Sequence, residues 1–483
     1  MCPTCSRSCS RSSWTDPRAR ARRARPRTPA GPEPPRPDDT IVAVATAIGE
    51  SAIGVIRVSG RDAIALVAPL LRTAIPLEAF PSHRVRRVAI VDAKSGERVD
   101  EALCTVMRAP RSYTAEDVVE LSCHGSPALL RMVTLWIVAG GARLAAPGEF
   151  TRRAFLNGRL DLARAEAVAL IISARTDRSV ALAARALAGG FSDQVRALHD
   201  ALIDLIAGLE VTLDFPEEQV GHDVGTARVT VARLRADVER WLVAARHGRV
   251  VHDGITVALV GPPNAGKSSL LNALLGRDRA IVSPVPGTTR DVVEGTIAIA
   301  GVPVRLLDTA GLDVPRDAIE AEGIRRSRGA MEESDLLLVV LDGSILPDQR
   351  VLAETSDRAR VIVRAKCDLA AHPAAAAQCD AVAVSAVSGA GIEALLERLG
   401  QEVADRAAAA GDEGGIVASL RQFELLHALS TSLAAGEYAL GEAPLEAALV
   451  DLKDSLNHAG AILGVDVSDV VLDRIFATFC LGK

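Results

Sequence analysis

Aromatic residues make up only 3% of this 483-residue chain, and no apolar stretch reaches the length of a membrane-spanning helix. The N-terminal residues carry no apolar core of a secretory signal. The eight cysteines lack the regular spacing of a disulfide framework. Only Cys2, Cys5 and Cys9 cluster, and no fourth metal ligand lies near them. A formal charge of −6 gives no global basic footprint for nucleic acid. These absences argue against a helical membrane protein and a disulfide-stapled secreted scaffold. The expected setting is a reducing cytoplasm, with no membrane partner.

What the chain has is length and apolar residues. At 483 residues and 49% hydrophobic content, it is too long for one core and is expected to form about three domains. The charge is uneven. Residues 1–37 hold nine arginines against Asp16 and Glu33, so the remainder is strongly acidic. This Arg/Pro/Ser-rich extension cannot bury a core and is expected to be disordered. Residues 38–155 alternate short apolar runs with turns, with strands expected at 41–47, 54–58, 85–91 and 102–107 and helices at 63–71 and 127–138. From 156 to 253 the apolar positions recur at helical spacing, broken once at Phe215-Pro216-Glu217. Residues 409–483 are helical again. Between them, 254–408 reads as a self-contained α/β unit. The expected fold is therefore multidomain α/β and α, with a helical domain interrupted by a doubly wound phosphate-loop domain.

The chemistry concentrates in that inserted unit. The run at 255–260 suits a buried parallel strand and feeds Gly261-Pro262-Pro263-Asn264-Ala265-Gly266-Lys267-Ser268, followed by a helix expected from Ser269 to Leu275. This is a complete G-x-x-x-x-G-K-S loop. Its glycines let backbone N–H groups wrap phosphates, Lys267 reaches the β and γ phosphates, and the Ser268 hydroxyl faces Mg²⁺. Ala265 and Ser269 lie within the same cradle, where the helix dipole favours an anion. Gly287-Thr288-Thr289-Arg290 reads as a switch, with Thr289 a second Mg²⁺ ligand. Asp308-Thr309-Ala310-Gly311 ends a strand, with Asp308 placed for the Mg²⁺ shell and Gly311 for the γ phosphate. Lys366 and Asp368 follow a strand; the Asp368 carboxylate can accept from the N1 and N2 donors that guanine has and adenine lacks. Ser385 and Ala386 close the base pocket.

Together these motifs resemble the GTPase superfamily. One position departs from the usual Asn-Lys-x-Asp: Ala365 stands where the asparagine is normally found, at a cost of about 1 kcal/mol for the lost hydrogen bond. The residue after the Asp-x-x-Gly is Leu312, which cannot orient water. Asn264 either helps to cage a monovalent cation or stabilises a turn, and spacing alone does not choose.

From about Asp38 onward the chain resembles the tRNA modification GTPase family MnmE (TrmE). The carrying segments are DDTIVAVATAIGESAIGVIRVSG, APRSYTAEDVVELSCHGSP, PGEFTRRAFLNGRLDLARAEAV, the phosphate-loop and LLDTAGL segments, and a terminal FCLGK. The resemblance implies hydrolysis of GTP on K⁺-dependent pairing of two such domains. It implies Asn264, Ser283, Val285 and Thr288 around K⁺, Glu320 orienting the attacking water, and Arg290 as a switch arginine. It implies a folate-binding-like N-terminal domain that forms a homodimer and takes a reduced folate (5-formyl- or methylenetetrahydrofolate) at Arg57, Glu120, Arg159 and Lys483. Ala115 falls where the family has glycine. It further implies Cys480 as a candidate nucleophile, an FAD-dependent MnmG/GidA-type partner in a heterotetramer, and tRNA as the substrate modified at wobble-uridine C5. Outside the resemblance, a lone cysteine such as Cys480 reads as packing, and His124 as a turn or core residue. Ribosome-assembly GTPases of the Era or Der kind share the inserted domain but not the N-terminal block or the FCLGK end.

Overall fold

The computed structural model describes residues 39–482, apart from 216–222, 277–279, 282–293, 309–328, 330, 378–379, 409–415, 417 and 481. The Cys2/Cys5/Cys9 cluster and the Arg-rich extension lie outside the described residues.

The first third of the described chain is a seven-stranded sheet of β1 (Ile41–Val44), β2 (Ser51–Ser59), β3 (Leu71–Arg72), β4 (Val85–Val91), β5 (Arg98–Met107), β6 (Val118–Gly125) and β7 (Arg143–Leu144), in the order β3-β4-β5-β6-β2-β1-β7. All pairings are antiparallel except β1 with β7. Period-two patterning decides the faces. Val42, Ile56, Val58, Ile90 and Leu121 are buried against α1 (Ala63–Val67) and α2 (Pro127–Ala139). The opposite face leaves Ile53, Val85 and Leu103 exposed. The expected helix 63–71 is shorter than its apolar pattern, because Pro69 lies within a 3-10 turn at Ala68–Leu70 and the chain then enters β3. His124 is neither turn nor core: it ends β6, exposed, with Nδ1 2.6 Å from Asp100 Oδ1.

Helix α3 (Glu149–Leu156) begins at Gly148, whose φ is +68°. A Cβ there would lie 2.5 Å from the Phe476 carbonyl oxygen, so only glycine admits the C-terminal segment this close. Four helices follow: α4 (Leu162–Ser173), α5 (Asp177–Ala188), α6 (Gly190–Asp214) and α7 (Val224–Asp253). Helix α6 stops just before the expected Phe215-Pro216 break.

The second sheet holds β8 (Ile255–Val260), β9 (Ala280–Ile281), β10 (Glu294–Ile299), β11 (Val302–Asp308), β12 (Leu336–Asp342), β13 (Arg360–Ala365) and β14 (Val382–Ala383), ordered β14-β13-β12-β8-β11-β10-β9. The five strands from β14 to β11 run parallel; β10 and β9 pair antiparallel at the edge. Helices α8 (Lys267–Leu275), α9 (Gln349–Glu354), α10 (Pro373–Ala376) and α11 (Ile392–Ala408) accompany it. Both faces are buried, in two separate apolar clusters, as a parallel sheet requires. The order is the doubly wound arrangement expected.

The chain then returns to the helices, as α12 (Leu420–Glu442), α13 (Leu445–Leu463) and α14 (Asp469–Phe476). One apolar cluster takes Leu202 and Leu209 of α6 and Val231 and Val238 of α7 together with Leu426 and Leu433 of α12 and Leu452 and Ile462 of α13. At its end the Glu166 carboxylate of α4 accepts from Ser419 Oγ at 3.0 Å, Arg421 Nε at 2.9 Å and Nη2 at 2.7 Å, and Gln422 Nε2 at 2.5 Å. Ser419 caps α12 in a capping box with Gln422, so the cap and the ion pair share one carboxylate.

Two expectations follow. Glu166→Ala leaves the Arg421 guanidinium with only the Ala461 and Ile462 carbonyls, at 2.8 and 3.4 Å, and is expected to lower unfolding stability by about 3 kcal/mol in urea denaturation; a loss below about 1 kcal/mol counts against the hub. The second concerns His252, near the end of α7. Burial lowers its pKa, but bonds to Asp253 Oδ1 at 3.0 Å and the Leu170 carbonyl at 2.9 Å more than offset this and the opposing Arg175 charge, so the net shift is upward. This contribution is full below about pH 6.5, the unfolded value, and is lost as pH rises through the folded value. Unfolding stability of the wild type relative to His252→Gln is expected to fall as pH rises above about 6.5.

Candidate functional site

The phosphate loop leaves β8 at the carboxyl edge of the parallel strands, where open α/β sheets bind ligands. Helix α8 starts two residues earlier than its apolar pattern suggests, at Lys267, because Gly266 adopts φ +100° and caps it. Gly261 is needed for a different reason: a Cβ there would meet the Val340 carbonyl oxygen at 2.1 Å. Asn264 is exposed and left-handed, with φ +61°. Ala265 is buried and Ser269 is exposed on the first turn of α8.

The Lys267 ammonium is turned back over the loop, donating to the carbonyls of Gly261 and Pro262, both at 3.0 Å. Burial pushes its pKa down, against the pull of the Asp308 charge. Ser268 Oγ donates to Asp308 Oδ2 at 2.5 Å, joining the loop to the end of β11. Asp308 Oδ1 is buried and has no hydrogen-bond partner among the described residues. A hydroxyl and a carboxylate with one orphaned, buried oxygen are hard oxygen donors that suit Mg²⁺.

The segment expected to read the base follows β13. Lys366 is left-handed, with φ +59°, and its Nζ donates to Asp342 Oδ2 at 2.6 Å. Burial opposes charge on Asp342, but Lys366 and the N–H and hydroxyl of Ser344 hold its carboxyl below the usual range. Asp368 is exposed, two residues beyond this pivot. The Cys367 N–H bonds the Val384 carbonyl at 3.1 Å, which seats the segment beside buried Ser385 and half-buried Ala386. Ala365 is buried, with its methyl directed at the phosphate loop: a Cβ on Gly266 would lie 3.8 Å from it. Asp342 was not singled out in the sequence. Its signal was an apolar run ending in Asp-Gly-Ser, which reads as an ordinary turn.

A second cluster forms on the first sheet. Arg57 of β2 and Glu120 of β6 are register partners, joined at 2.7 Å. The Arg57 guanidinium also donates to the Gly482 carbonyl at 3.0 Å, and lies 5.5 and 5.6 Å from the Tyr113 and Phe150 rings. Arg159 stacks over Tyr113 at 5.1 Å and donates to its carbonyl at 2.7 Å. Thus Arg57, Glu120 and Arg159 converge with the C-terminal segment, across more than 400 residues of sequence. Half-buried Tyr113 is not distinguished in the sequence, where a lone aromatic in a strand-rich segment reads as core; Phe150 is fully buried and does belong to the core. Beneath lies a buried network: Arg153 pairs with Glu116 and Glu149, and Arg143 with Glu149 at 2.6 Å. Burial raises the Glu149 pKa, but the arginines and the Ala146 N–H outweigh it and the net shift is down. Ala115, next to Glu116, adopts φ +62°, a strain of about 1 kcal/mol that glycine would not carry. The Cys480 side chain is exposed, and its carbonyl oxygen accepts from Gly148 N–H at 3.5 Å.

Ser283, Val285, Thr288, Thr289, Arg290, Thr309, Ala310, Gly311, Glu320 and Lys483 lie outside the described residues.

Residues 162–480 match the MnmE helical domain and residues 40–159 the GTP-binding protein TrmE N-terminus. The chain is 43% identical to the tRNA modification GTPase MnmE of Moorella thermoacetica, over 92% of this chain and 100% of that protein. It is 41% identical to that of Koribacter versatilis and 41% to that of Geobacter sulfurreducens, each over 92% of this chain and 99% of the relative. Among solved structures, Aquifex aeolicus Era Y63A bound to GDP.AlF4- resembles 37% of this chain and 66% of that one at 24% identity, with a TM-score of 0.27, a likeness too slight to add to these matches. The phosphate loop and the full-length matches agree, and the chain belongs to the MnmE family of tRNA modification GTPases.

Proposed function

We propose that this GTPase drives addition of a carboxymethylaminomethyl or aminomethyl group at C5 of wobble uridine in tRNA, in the cytoplasm. It acts as a homodimer with an FAD-dependent MnmG/GidA-type partner and a reduced folate as one-carbon donor. The observation that carries the nucleotide half is the junction of Ser268 and Asp308 at 2.5 Å, with Lys267 above it, on the sheet edge that also bears Asp368 and Ser385.

Lys267 would swing from its loop carbonyls to the β and γ phosphates, and Ser268, Thr289 and Asp308 would hold Mg²⁺, which supplies positive charge where the phosphates develop negative charge. The backbone N–H groups of the loop, through Ala265, Gly266 and Ser269, cradle the phosphates, with Thr288, Thr309, Ala310 and Gly311 around them. Asp368 and Lys366 read guanine, closed in by Ser385 and Ala386. Glu320 orients the water that attacks the γ phosphorus as the bond to the β-phosphate oxygen breaks. Asn264, Ser283, Val285 and Thr288 would hold K⁺, which would supply positive charge beside the phosphates, and Arg290 would add to it; the exposed, left-handed Asn264 at the loop rim supports this.

The Arg57, Glu120 and Arg159 cluster supports the folate half. A guanidinium, a carboxylate and the half-buried Tyr113 ring are groups that recognise a planar, amide-bearing heterocycle with an acidic tail. Lys483 would complete the pocket, and the exposed apolar residues Ile53, Val85 and Leu103 on the open sheet face support pairing of two chains. Cys480 is the candidate nucleophile at the uridine.

GTP turnover is expected to be faster in K⁺ than in Na⁺ at equal ionic strength. Glu320→Ala is expected to lose at least about a hundredfold in kcat while GTP still binds. Equal turnover in the two salts, or an unaffected variant, removes this mechanism. For the tRNA role, nucleoside mass spectrometry of total tRNA from cells lacking the gene is expected to show loss of the C5-modified wobble uridine. Intact modification beside an active GTPase would instead favour a ribosome-assembly role.

A further inference from the structure

Strands β12 and β13 end side by side, with Asp342 and Ala365 in register. The two ends are fastened by two contacts. The Gly343 N–H donates to the Ala365 carbonyl at 2.9 Å. Asp342 Oδ1 is fixed by the Ser344 N–H at 2.9 Å and hydroxyl at 2.6 Å, which leaves Oδ2 for Lys366 at 2.6 Å. The Asp342 side chain is 10% exposed and that of Lys366 37%, so the carboxylate end of this charge-assisted bond is shielded while the lysine end still meets water.

Lys366 is the residue at which the backbone leaves extended geometry. Its φ of +59° is costly for a residue with a Cβ, and the Leu369 N–H closes the turn onto its carbonyl at 3.0 Å. Asp368 projects from this turn. The neighbouring side chain that faces the phosphate loop is the Ala365 methyl, which offers no hydrogen bond to it. The polar tie from the Lys366 side chain to the body of the sheet therefore runs through Asp342.

We propose that Asp342 is a specificity-positioning residue: by holding Lys366 in its left-handed pivot it aims the Asp368 carboxylate at guanine, in a loop that Ala365 leaves without a side-chain tie of its own. Asp342 touches neither base nor phosphate and acts through Lys366. The proposal rests on the reading of Asp368 as the guanine acceptor.

The test is equilibrium binding of fluorescent GDP and IDP to the full-length protein in Mg²⁺. Inosine lacks the N2 donor, so the GDP:IDP affinity ratio reports the aim of Asp368. Asp342→Asn is expected to weaken GDP binding about tenfold and to move the ratio towards one, since a hydrogen bond to a charged group is lost. Asp342→Ser, which removes the carboxylate and leaves Lys366 in place, is expected to do the same should Asp342→Asn fold poorly. Ala365→Asn, added to Asp342→Asn, is expected to recover at least half of the loss on a logarithmic scale, by giving the loop a second tie. A loss shared equally by GDP and IDP, or no recovery in the double variant, overturns the proposal in favour of a merely structural role. Unchanged affinity in both single variants overturns it outright. Asp368→Ala separates the two readings: a wild-type ratio already near one that this variant leaves alone removes the guanine reading itself.

Discussion

One buried carboxylate fastens two distant parts of the chain. The helical unit is built from segments on either side of an inserted α/β unit, so its two halves must find each other through space. Apolar packing of α6 and α7 against α12 and α13 supplies the driving force. It does not by itself set the register in which α12 docks. Glu166 does so by collecting Ser419, Arg421 and Gln422 at the cap of α12. Directional bonds in a desolvated position penalise every other docking, because each alternative leaves a charge unpaired. Close by, the Ile416 N–H reaches the Ala244 carbonyl of α7 at 3.3 Å, so the returning chain is held on both sides.

The inserted unit is attached with little slack. Helix α7 passes into β8 through Gly254 alone, with φ +82°, and a Cβ there would meet the Pro303 carbonyl oxygen at 2.1 Å. His252 and Asp253 sit at that joint, tied back to α4 through Leu170. The strand that carries the phosphate loop is thus a direct continuation of a 30-residue helix of the bundle. A change at the loop has a short route to the helices, which is the connection a switch coupled to a distant reaction needs.

The chain end closes the other side. Phe476 and Phe479 pack with Leu162 and Val168 of α4, and Gly482 is drawn against β1, where a Cβ would lie 2.6 Å from the Ala45 Cα. Arg57 binds its carbonyl. The last residues of the sequence therefore become part of a cluster built on its first strands, beside a network of arginines and glutamates that is paired within itself.

The phosphate loop, the turn after β13 and the alternation of strands with helices were legible in the sequence because each depends on neighbours close along the chain. Backbone wrapping needs glycines at fixed spacing, a parallel strand needs a continuous apolar run, and Asp368 needs only the strand before it. The family segments carried the rest of the expected site. Other features were not legible. His124 was read as turn or core, yet it stands exposed on β6, because its partner Asp100 comes from a different strand. Asp342 looked like a turn residue, because its role depends on a strand pairing that puts it opposite Ala365. Tyr113 is not distinguished, because what separates a ring that lines a cluster from one that fills a core is which arginines stand over it. The sequence by itself determined the local chemistry of the nucleotide loop and the order of the elements. Only the tertiary structure decided which distant residues share a site, because register, docking and the return of the chain end are set by contacts whose partners lie tens to hundreds of residues apart.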